Sequence, residues 1–229
     1  MKRIITIDGP VASGKSTLSR LLARRLNILY LDTGAMYRAV ALQAKRHGVG
    51  PAETSTLREL CRNLDLRFVP DGENTRLCIG EEDVSLAIRT PEMDMRSSEI
   101  SAIKEVREAM TDLQRKIGQT GDLVAEGRDM GTVVFPNAEH KFFLTAPVEV
   151  RAERRHEERV NRGEAVSLDE VQRDLQQRDY QDETRPIAPL RPAEDARIID
   201  TATLKPDQVL DRILEEISPG THRNGYLSQ

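Results

Sequence analysis

The sequence predicts a single α/β domain built around a parallel β-sheet. The chain has 229 residues, of which 38% are hydrophobic and 31% charged, and this suits one globular domain with modest insertions. Short apolar or β-branched runs alternate with longer segments of helical periodicity, which is typical of a parallel sheet covered by helices on both faces. A glycine-rich loop separates the first such strand from the first helix.

Five short runs have the composition of buried strands, because branched and apolar residues dominate them. A helical pattern follows the first run at residues 15–27, and another follows the second run at residues 33–47. This succession indicates strand-helix units joined into a parallel sheet. The predicted strands are residues 3–8, 28–31, 123–126, 141–145 and 197–200.

The alternation changes between residues 48 and 121, which indicates an inserted lobe. After a further helical stretch, residues 65–70 and 75–80 alternate on either side of a turn-forming segment that contains Gly72. This pattern predicts an antiparallel pair of strands. Residues 91–118 are mostly helical in pattern.

Residues 147–185 predict two helices broken near residues 161–163. Pro186 disfavours a helical conformation at Arg185, so the second helix is expected to end before that residue. The polar tail beyond Pro219 is expected to be loose.

Composition narrows the classes of partner. Lys and Arg number 34 against 38 Asp and Glu, for a net charge of −4, and this balance argues against a protein that coats nucleic acid. The apolar run at residues 4–7 is broken by Asp8 and Gly9, so neither a signal peptide nor a membrane span is expected. Cys61 and Cys78 stand apart, without the spacing of a zinc site or a disulfide framework. We therefore expect a cytoplasmic protein without nucleic-acid or membrane partners.

The strongest local signal is a phosphate-binding loop of the form G-x-x-x-x-G-K-[ST], with a strand before it and a helix after it. Its glycines let the backbone wrap a phosphate chain, and the helix N-terminus presents unpaired amides to the anion. Lys15 supplies a mobile charge, and the Ser16 hydroxyl is a candidate Mg²⁺ ligand. The predicted ATP-binding residues in the loop are Gly9, Pro10, Val11, Ala12, Ser13, Gly14, Lys15 and Ser16, continuing to Thr17.

Several triphosphate-using classes fit this sequence poorly. The Asn-Lys-x-Asp stretch by which regulatory GTPases read guanine does not occur in the chain. The strand at residues 123–125 runs into Glu126, Gly127, Arg128 and Asp129 rather than the Asp-Glu ending usual in motor ATPases. A small-molecule phosphotransferase is the favoured interpretation.

Arginine replaces lysine throughout residues 142–204, which hold ten arginines and no lysine. The guanidinium fork donates two parallel hydrogen bonds to a phosphate and stays charged when water is expelled. Any single arginine is also explained as an exposed ion pair with Glu153, Glu157 or Glu158. As a group they indicate a flap that closes over polyphosphate, with Arg154 expected at the ATP site.

Four ordered motifs resemble those of bacterial cytidylate kinases. They are IDGPVASGKS at residues 7–16, LDTGAMYR at 31–38, GRDMGTVVFP at 127–136 and RDYQDETRPIAPL at 178–190. The resemblance covers residues 1 to about 217 and implies ATP-dependent phosphorylation of CMP and dCMP with Mg²⁺. Where the family often has serine in the Asp-Ser-Gly triplet, this chain has Thr33, which keeps the hydroxyl.

The same resemblance implies a P-loop fold with a five-stranded parallel core, a lobe that binds the nucleoside monophosphate, and a helical lid. The core is expected at about residues 1–33, 119–146 and 186–217, the inserted lobe at 34–118 and the arginine-rich flap at 147–185. Residues 218–229 are a tail outside this pattern. We expect a monomer.

The resemblance also assigns residue roles. It places the acceptor base near Ser98, Arg107 and Asp129, a set complementary to the N4 amino donor and the N3 and O2 acceptors of cytosine. Lys15, Arg128 and Arg185 are the expected catalytic residues. The acceptor phosphate is expected at Arg38, Arg128 and Arg185, the ribose at Arg178 and Asp182, and the cleft wall at Thr33 and Tyr37.

Alternatives remain for some of these assignments. Arg178 and Asp182 are one turn apart and are also explained as a helical ion pair, and Tyr37 is also explained as core packing. A P-loop kinase acting on UMP, dTMP or shikimate is the nearest rival function. A nucleotide-dependent regulator is the rival from another class, but it would need a switch segment in place of the flap.

Overall fold

The computed structural model describes residues 2–72 and 74–217, so the predicted tail at residues 218–229 lies outside the described part of the chain. Within these described residues, eight strands form two sheets. In chain order they are β1 Ile4–Asp8, β2 Leu29–Asp32, β3 Leu66–Asp71, β4 Asn74–Ile79, β5 Glu82–Asp83, β6 Leu123–Gly127, β7 His140–Thr145 and β8 Arg197–Asp200.

In the part of the chain that the structure describes, eight α-helices and one short π-type turn accompany these strands. The π-type turn spans Met130–Val134, directly after β6. The helices are α1 Lys15–Leu26, α2 Thr33–Arg46, α3 Thr54–Arg62, α4 Pro91–Ser101, α5 Lys104–Gly118, α6 Val148–Asn161, α7 Leu168–Thr184 and α8 Pro206–Ile217. Within residues 2–72 and 74–217, none of them is long and apolar enough to cross a membrane.

The central sheet has five strands in the order β2-β6-β1-β7-β8, and every pairing in it is parallel. The predicted α/β class is therefore confirmed, and all five predicted core strands occur in this sheet. The smaller sheet is the predicted antiparallel pair, β3 and β4, with the short β5 added at its edge.

Two hydrophobic clusters cover the two faces of the central sheet. Residues alternate along β6, with Leu123 and Ala125 in the cluster that includes α2 and the inserted lobe, and Val124 in the other. That second cluster packs β1 and β7 against Leu22 of α1 and Ile213 of α8. Because neighbouring strand residues point to opposite faces, a continuously apolar strand serves both clusters.

The two predicted flap helices are present as α6 and α7, and α7 ends at Thr184 as Pro186 predicts. A small cluster of Ala152, Val171 and Leu175 joins them. A capping box between Ser167 and Glu170 begins α7, and such caps define where a helix starts.

Candidate active site

The phosphate-binding loop leaves β1 and ends at the first turn of α1. A side chain at Gly9 would place its Cβ 2.2 Å from the Leu144 carbonyl oxygen, so only glycine fits where the loop passes close to β7. Gly14 has a φ of 88° at the helix N-cap, where no side chain caps the first amides. Those amides remain available to an anion, as the sequence motif predicts.

Lys15 is buried beneath this loop and its ammonium group donates to the Pro10 carbonyl oxygen at 2.8 Å. Burial, followed by repulsion from Arg128, lowers the pKa of Lys15. Its charge is therefore poorly solvated, and a bound polyphosphate would supply the counter-charge that the site lacks.

Glu126 closes the loop from the end of β6. Its Oε1 accepts hydrogen bonds from the Ser16 hydroxyl at 2.8 Å and from the Tyr30 hydroxyl at 2.9 Å. Its Oε2 is buried without a hydrogen-bond partner. Burial, together with the charge of Asp32, raises the pKa of Glu126.

The oxygen ligands at this point suit magnesium. Mg²⁺ is usually bound through one or two protein oxygens plus substrate phosphates and water, and the Ser16 hydroxyl beside the unpartnered Glu126 Oε2 fits that donor set. Among the described residues there is no group of three or more His, Cys, Asp or Glu side chains that would hold an ion alone. Ser16 and Glu126 are the described residues that would hold such an ion.

Asp8, the last residue of β1, anchors the chain that follows β6. Its two carboxylate oxygens accept from the backbone amides of Met130 and Gly131 at 2.9 and 2.8 Å. Burial raises the pKa of Asp8 to about 6, although these two amides act in the opposite direction. The anchored turn fixes the position from which Arg128 and Asp129 project.

Asp129 and Arg107 form a buried ion pair, with side chains 4% and 5% exposed. Arg107 also donates to the Ser101 carbonyl oxygen at 3.1 Å, and its guanidinium lies 5.9 Å from the centre of the Tyr37 ring. Arg185 lies 3.7 Å from the other Asp129 oxygen. One carboxylate and two guanidinium groups thus line this end of the cleft.

Ser98 does not line the cavity that contains Asp129. On α4 the residues in its wall are Asp94, Ser97 and Ser101, whereas Ser98 lines a neighbouring cavity. A residue adjacent to Ser97 is rotated by about 100° around the helix axis, which explains the difference in facing. The structure therefore brings Arg107 and Asp129 together but leaves Ser98 outside that group.

A cluster of arginines lies between the end of the cleft that contains Asp129 and the phosphate-binding loop. The Arg128 Nε donates to Asp182 at 2.8 Å, and Arg185 lies 3.7 Å from the same carboxyl group. Burial lowers the pKa of Arg178 to about 10, and its Nε has no hydrogen-bond partner. Several positive charges in one partly buried cluster favour an anion.

Arg38 and Thr33 lie on the opposite wall, in α2. Arg38 is 3.7 Å from Asp32, and its Nε is buried without a hydrogen-bond partner. The Thr33 hydroxyl donates to the Glu126 carbonyl oxygen at 2.6 Å. The predicted cleft wall is thus built onto the ends of β2 and β6.

The flap arginines divide into structural and cavity-facing groups. Arg151 is buried and joins α6 to α7 through Asp179 at 2.7 Å. It also donates to the Val11 carbonyl oxygen of the phosphate-binding loop at 3.3 Å, so it links the flap to the core. Arg154 donates to the Thr201 carbonyl oxygen at 2.6 Å and lines the cavity. The predicted ion pair with Glu158 occurs at Arg162, which also lines the cavity. Arg159 is only 20% exposed and pairs with Glu164, which was not among the predicted partners.

A cavity of about 790 Å³ joins all these features. Residues 11–17 of the loop region, Arg154 and every predicted acceptor-site residue except Ser98 line it, whereas Gly9 and Pro10 do not. Sequence reasoning missed several further wall residues, some of them at the start of α8. They include Arg20, Asp94, Ser97, Ser101, Glu126, Arg155, Leu204, Lys205, Pro206 and Val209.

The strand order, the loop and the cavity define a phosphotransferase of the P-loop kinase class. The sequence comparisons narrow that class, because residues 5–219 match the family model described as cytidylate kinase. The chain belongs to the cytidylate kinase family.

Individual relatives agree with the family match. A cytidylate kinase from Citrifermentans bemidjiense is 50% identical over 91% of this chain and 89% of its own. One from Carboxydothermus hydrogenoformans is 46% identical over 93% and 96% of the two chains. An uncharacterized protein from Eubacterium ventriosum shares the fold, with a TM-score of 0.53 and 12% identity over 96% of this chain and 100% of that one.

Proposed function

We propose that this protein transfers the γ-phosphoryl group of ATP to CMP and dCMP. Family membership supports the cytidylate kinase activity, and the observation that carries the base assignment is the buried Arg107 and Asp129 pair in the same cavity as Lys15. The inserted lobe, residues 34–118, would hold the acceptor, and the arginine-rich flap, residues 147–185, would act as a lid.

Base recognition follows from hydrogen-bonding capacity. The Asp129 carboxylate accepts from the N4 amino group of cytosine, while Arg107 donates to N3 or O2. Uracil presents a carbonyl at position 4, which faces the lone pairs of Asp129 and is disfavoured. Ser98 would take part only after a movement of α4, since its side chain lines the neighbouring cavity.

Phosphoryl transfer needs alignment and charge neutralisation more than a covalent nucleophile. Arg38, Arg128 and Arg185 would hold the acceptor phosphate in line with the donor, and Arg178 with Asp182 would contact the ribose. The loop amides and Lys15 would hold the β and γ phosphates of ATP. A magnesium ion brought with ATP would be held at Ser16 and Glu126 and would supply further charge neutralisation.

The donor nucleoside has its own candidate surface. Arg154 on the flap and Leu204, Pro206 and Val209 near the start of α8 line the part of the cavity wall contributed by the flap and the last β-α connection. An apolar wall beside a guanidinium suits a flat aromatic base. We propose that the adenine of ATP lies there, opposite the acceptor base across the loop.

The cellular setting follows from the proposed reaction. We propose a monomeric cytoplasmic enzyme of pyrimidine nucleotide metabolism, with ATP and CMP or dCMP as its partners and Mg²⁺ as the required ion.

A coupled assay tests the function. ATP and Mg²⁺ are supplied with CMP, dCMP, UMP, dTMP, AMP, GMP or shikimate in turn, and ADP release is recorded. The expected result is fastest turnover with CMP or dCMP. Faster turnover with another acceptor would assign a different kinase activity, and ADP release that no acceptor stimulates would favour the regulator.

A further inference from the structure

Asp94 on α4 stands between two arginines that belong to different parts of the molecule. Its Oδ2 accepts from Nη2 of Arg155, on α6 of the flap, at 2.7 Å. Its Oδ1 lies 3.9 Å from Nη1 of Arg38, on α2 of the inserted lobe. One carboxyl group therefore touches both the proposed lid and the proposed acceptor lobe.

These groups are largely withdrawn from solvent. The side chains of Asp94, Arg155 and Arg38 are 21%, 18% and 17% exposed. Burial disfavours the charge of Arg155, yet the carboxylates of Glu158 and Asp94 raise its pKa. Charge pairs at this degree of burial are less screened by solvent and salt than surface pairs. The attraction between Asp94 and Arg155 is therefore stronger than that of an exposed pair.

The ion pair between Asp94 and Arg155 lies beside a cavity rather than within a packed core. Next to it, α4 and the flap face each other across a second cavity of about 700 Å³, with Met95 and Glu99 on one wall and Leu175 and Gln181 on the other. An ion pair beside an open cleft holds two elements together without a continuous packed interface. Breaking that pair would free the flap more than breaking one contact within a dense core.

Asp94 is also suited to orient arginines rather than to bind substrate. A carboxylate repels phosphate, and both Asp94 oxygens already face guanidinium groups. Arg38 keeps a buried Nε without a hydrogen-bond partner, and its guanidinium shares the main cavity wall with Arg155. Both arginines can thus be directed by Asp94 while retaining donors for anions.

We propose that Asp94 is a positioning residue that couples binding of the donor and acceptor nucleotides by linking Arg155 of the flap to Arg38 of the inserted lobe. This inference rests on the proposed function. Closing the flap over ATP would draw Asp94 and Arg38 into the arrangement that receives the acceptor phosphate. Coupling between two sites is reciprocal, so CMP would assist ATP binding by the same factor.

The experiment compares binding with and without the second nucleotide. The Kd of CMP is measured by calorimetry for the full-length protein, alone and with a saturating nonhydrolysable ATP analogue and Mg²⁺. Asp94→Asn keeps the side-chain shape and removes the charge, and Arg155→Gln removes the partner. Glu92→Gln is the matched control, because Glu92 lies on the same helix but pairs with Lys45 and Arg96 within the inserted lobe.

In the wild type and Glu92→Gln, the ATP analogue should tighten CMP binding by about fivefold or more, the lower end of typical couplings. In Asp94→Asn and Arg155→Gln the ratio of the two Kd values should fall to about one. The double variant should show no further loss, since both changes remove the same link. Each variant is checked for a cooperative thermal transition, and Arg155→Gln carries the test if Asp94→Asn does not fold.

Three results would overturn the proposal. The first is a wild type whose two CMP Kd values are equal, and the second is a Kd ratio that Asp94→Asn and Arg155→Gln leave unchanged. The third is a Kd ratio that falls equally in Glu92→Gln. Turnover of CMP by the wild type is recorded in parallel. A wild type that phosphorylates CMP but lacks coupling contradicts the inference alone. A wild type that does not phosphorylate CMP contradicts the proposed function and the inference with it.

Discussion

Arg107 and Asp129 form an ion pair across 22 residues of chain, and both side chains are almost fully buried. A buried ion pair is weak evidence for stability, because desolvation offsets much of the attraction. The pair stands at the wall of the main cavity, and we propose that it recognises the base, since a carboxylate and a guanidinium side by side match the donor and acceptors of cytosine. The first prediction follows from this relationship.

Asp129→Asn should narrow the preference for CMP over UMP. An amide can present either its oxygen or its NH₂ group, so it accommodates both bases, whereas an ionised carboxylate only accepts. The ratio of kcat/KM values for CMP and UMP measures this preference. It should fall by a factor that corresponds to about 1 to 3 kcal/mol of discrimination. Asp112→Asn, an exposed change on α5, should leave the ratio unaltered. Equal losses for both substrates would place base recognition elsewhere.

Lys15→Ala should abolish most phosphoryl transfer while leaving the protein folded. The ammonium group lies beneath the phosphate loop and donates only to the Pro10 carbonyl among its described hydrogen bonds, so its loss removes charge from the site rather than apolar packing. Turnover should fall by about 10² to 10³. Steady-state kinetics and circular dichroism check this, with Lys45→Ala in an exposed ion pair as the control. Near-normal turnover in a folded Lys15→Ala protein would contradict the assignment.

Saturating CMP with a nonhydrolysable ATP analogue should protect the arginine-rich flap from trypsin. Arg154, Arg155 and Arg162 all line the main cavity, and Arg162 is exposed at the end of α6. All three should gain phosphate partners in the ternary complex. Mass spectrometry of the fragments identifies the cleavage sites. Cleavage at Arg197, in β8 of the core sheet, is the internal reference. Equal cleavage at Arg154, Arg155 and Arg162 with and without ligands would exclude a closing lid.

Asp8 should make stability fall as the pH rises from about 4 to 6. Burial raises its pKa from 3.8 to about 6, so in that window the native state binds more protons than the unfolded state. The free energy of unfolding then decreases with pH, by up to about 3 kcal/mol from this group. Asp8→Asn removes this titrating group. The unfolding free energy of the variant should therefore decrease less with pH in this window than that of the wild type. Denaturant titrations at several pH values measure both free energies. An identical pH dependence in the wild type and in Asp8→Asn would show that Asp8 titrates normally.

The sequence alone predicted much of the fold because its signals are local. Apolar runs marked all five core strands to within a residue or so at each end, and Pro186 marked the end of α7. The loop from Gly9 to Ser16 was recognisable because the chemistry of phosphate binding needs those residue types at that spacing. The strand β5 was not predicted, because two residues are too few for an alternating pattern. The helix α8 was not predicted either, although Val209 and Ile213 give it a detectable apolar face.

Only the tertiary structure decided which side chains meet. Glu126 bonds with Ser16 across 110 residues and with Tyr30 across 96, and Asp94 meets Arg155 across 61. No local periodicity encodes such contacts, because they depend on the strand order and on how the flap lies over the cleft. The position of Ser98 has the same cause. The resemblance assigned a base contact to α4, but the position of each residue around the helix axis decided that Ser97 and Ser101 line the cavity and Ser98 does not.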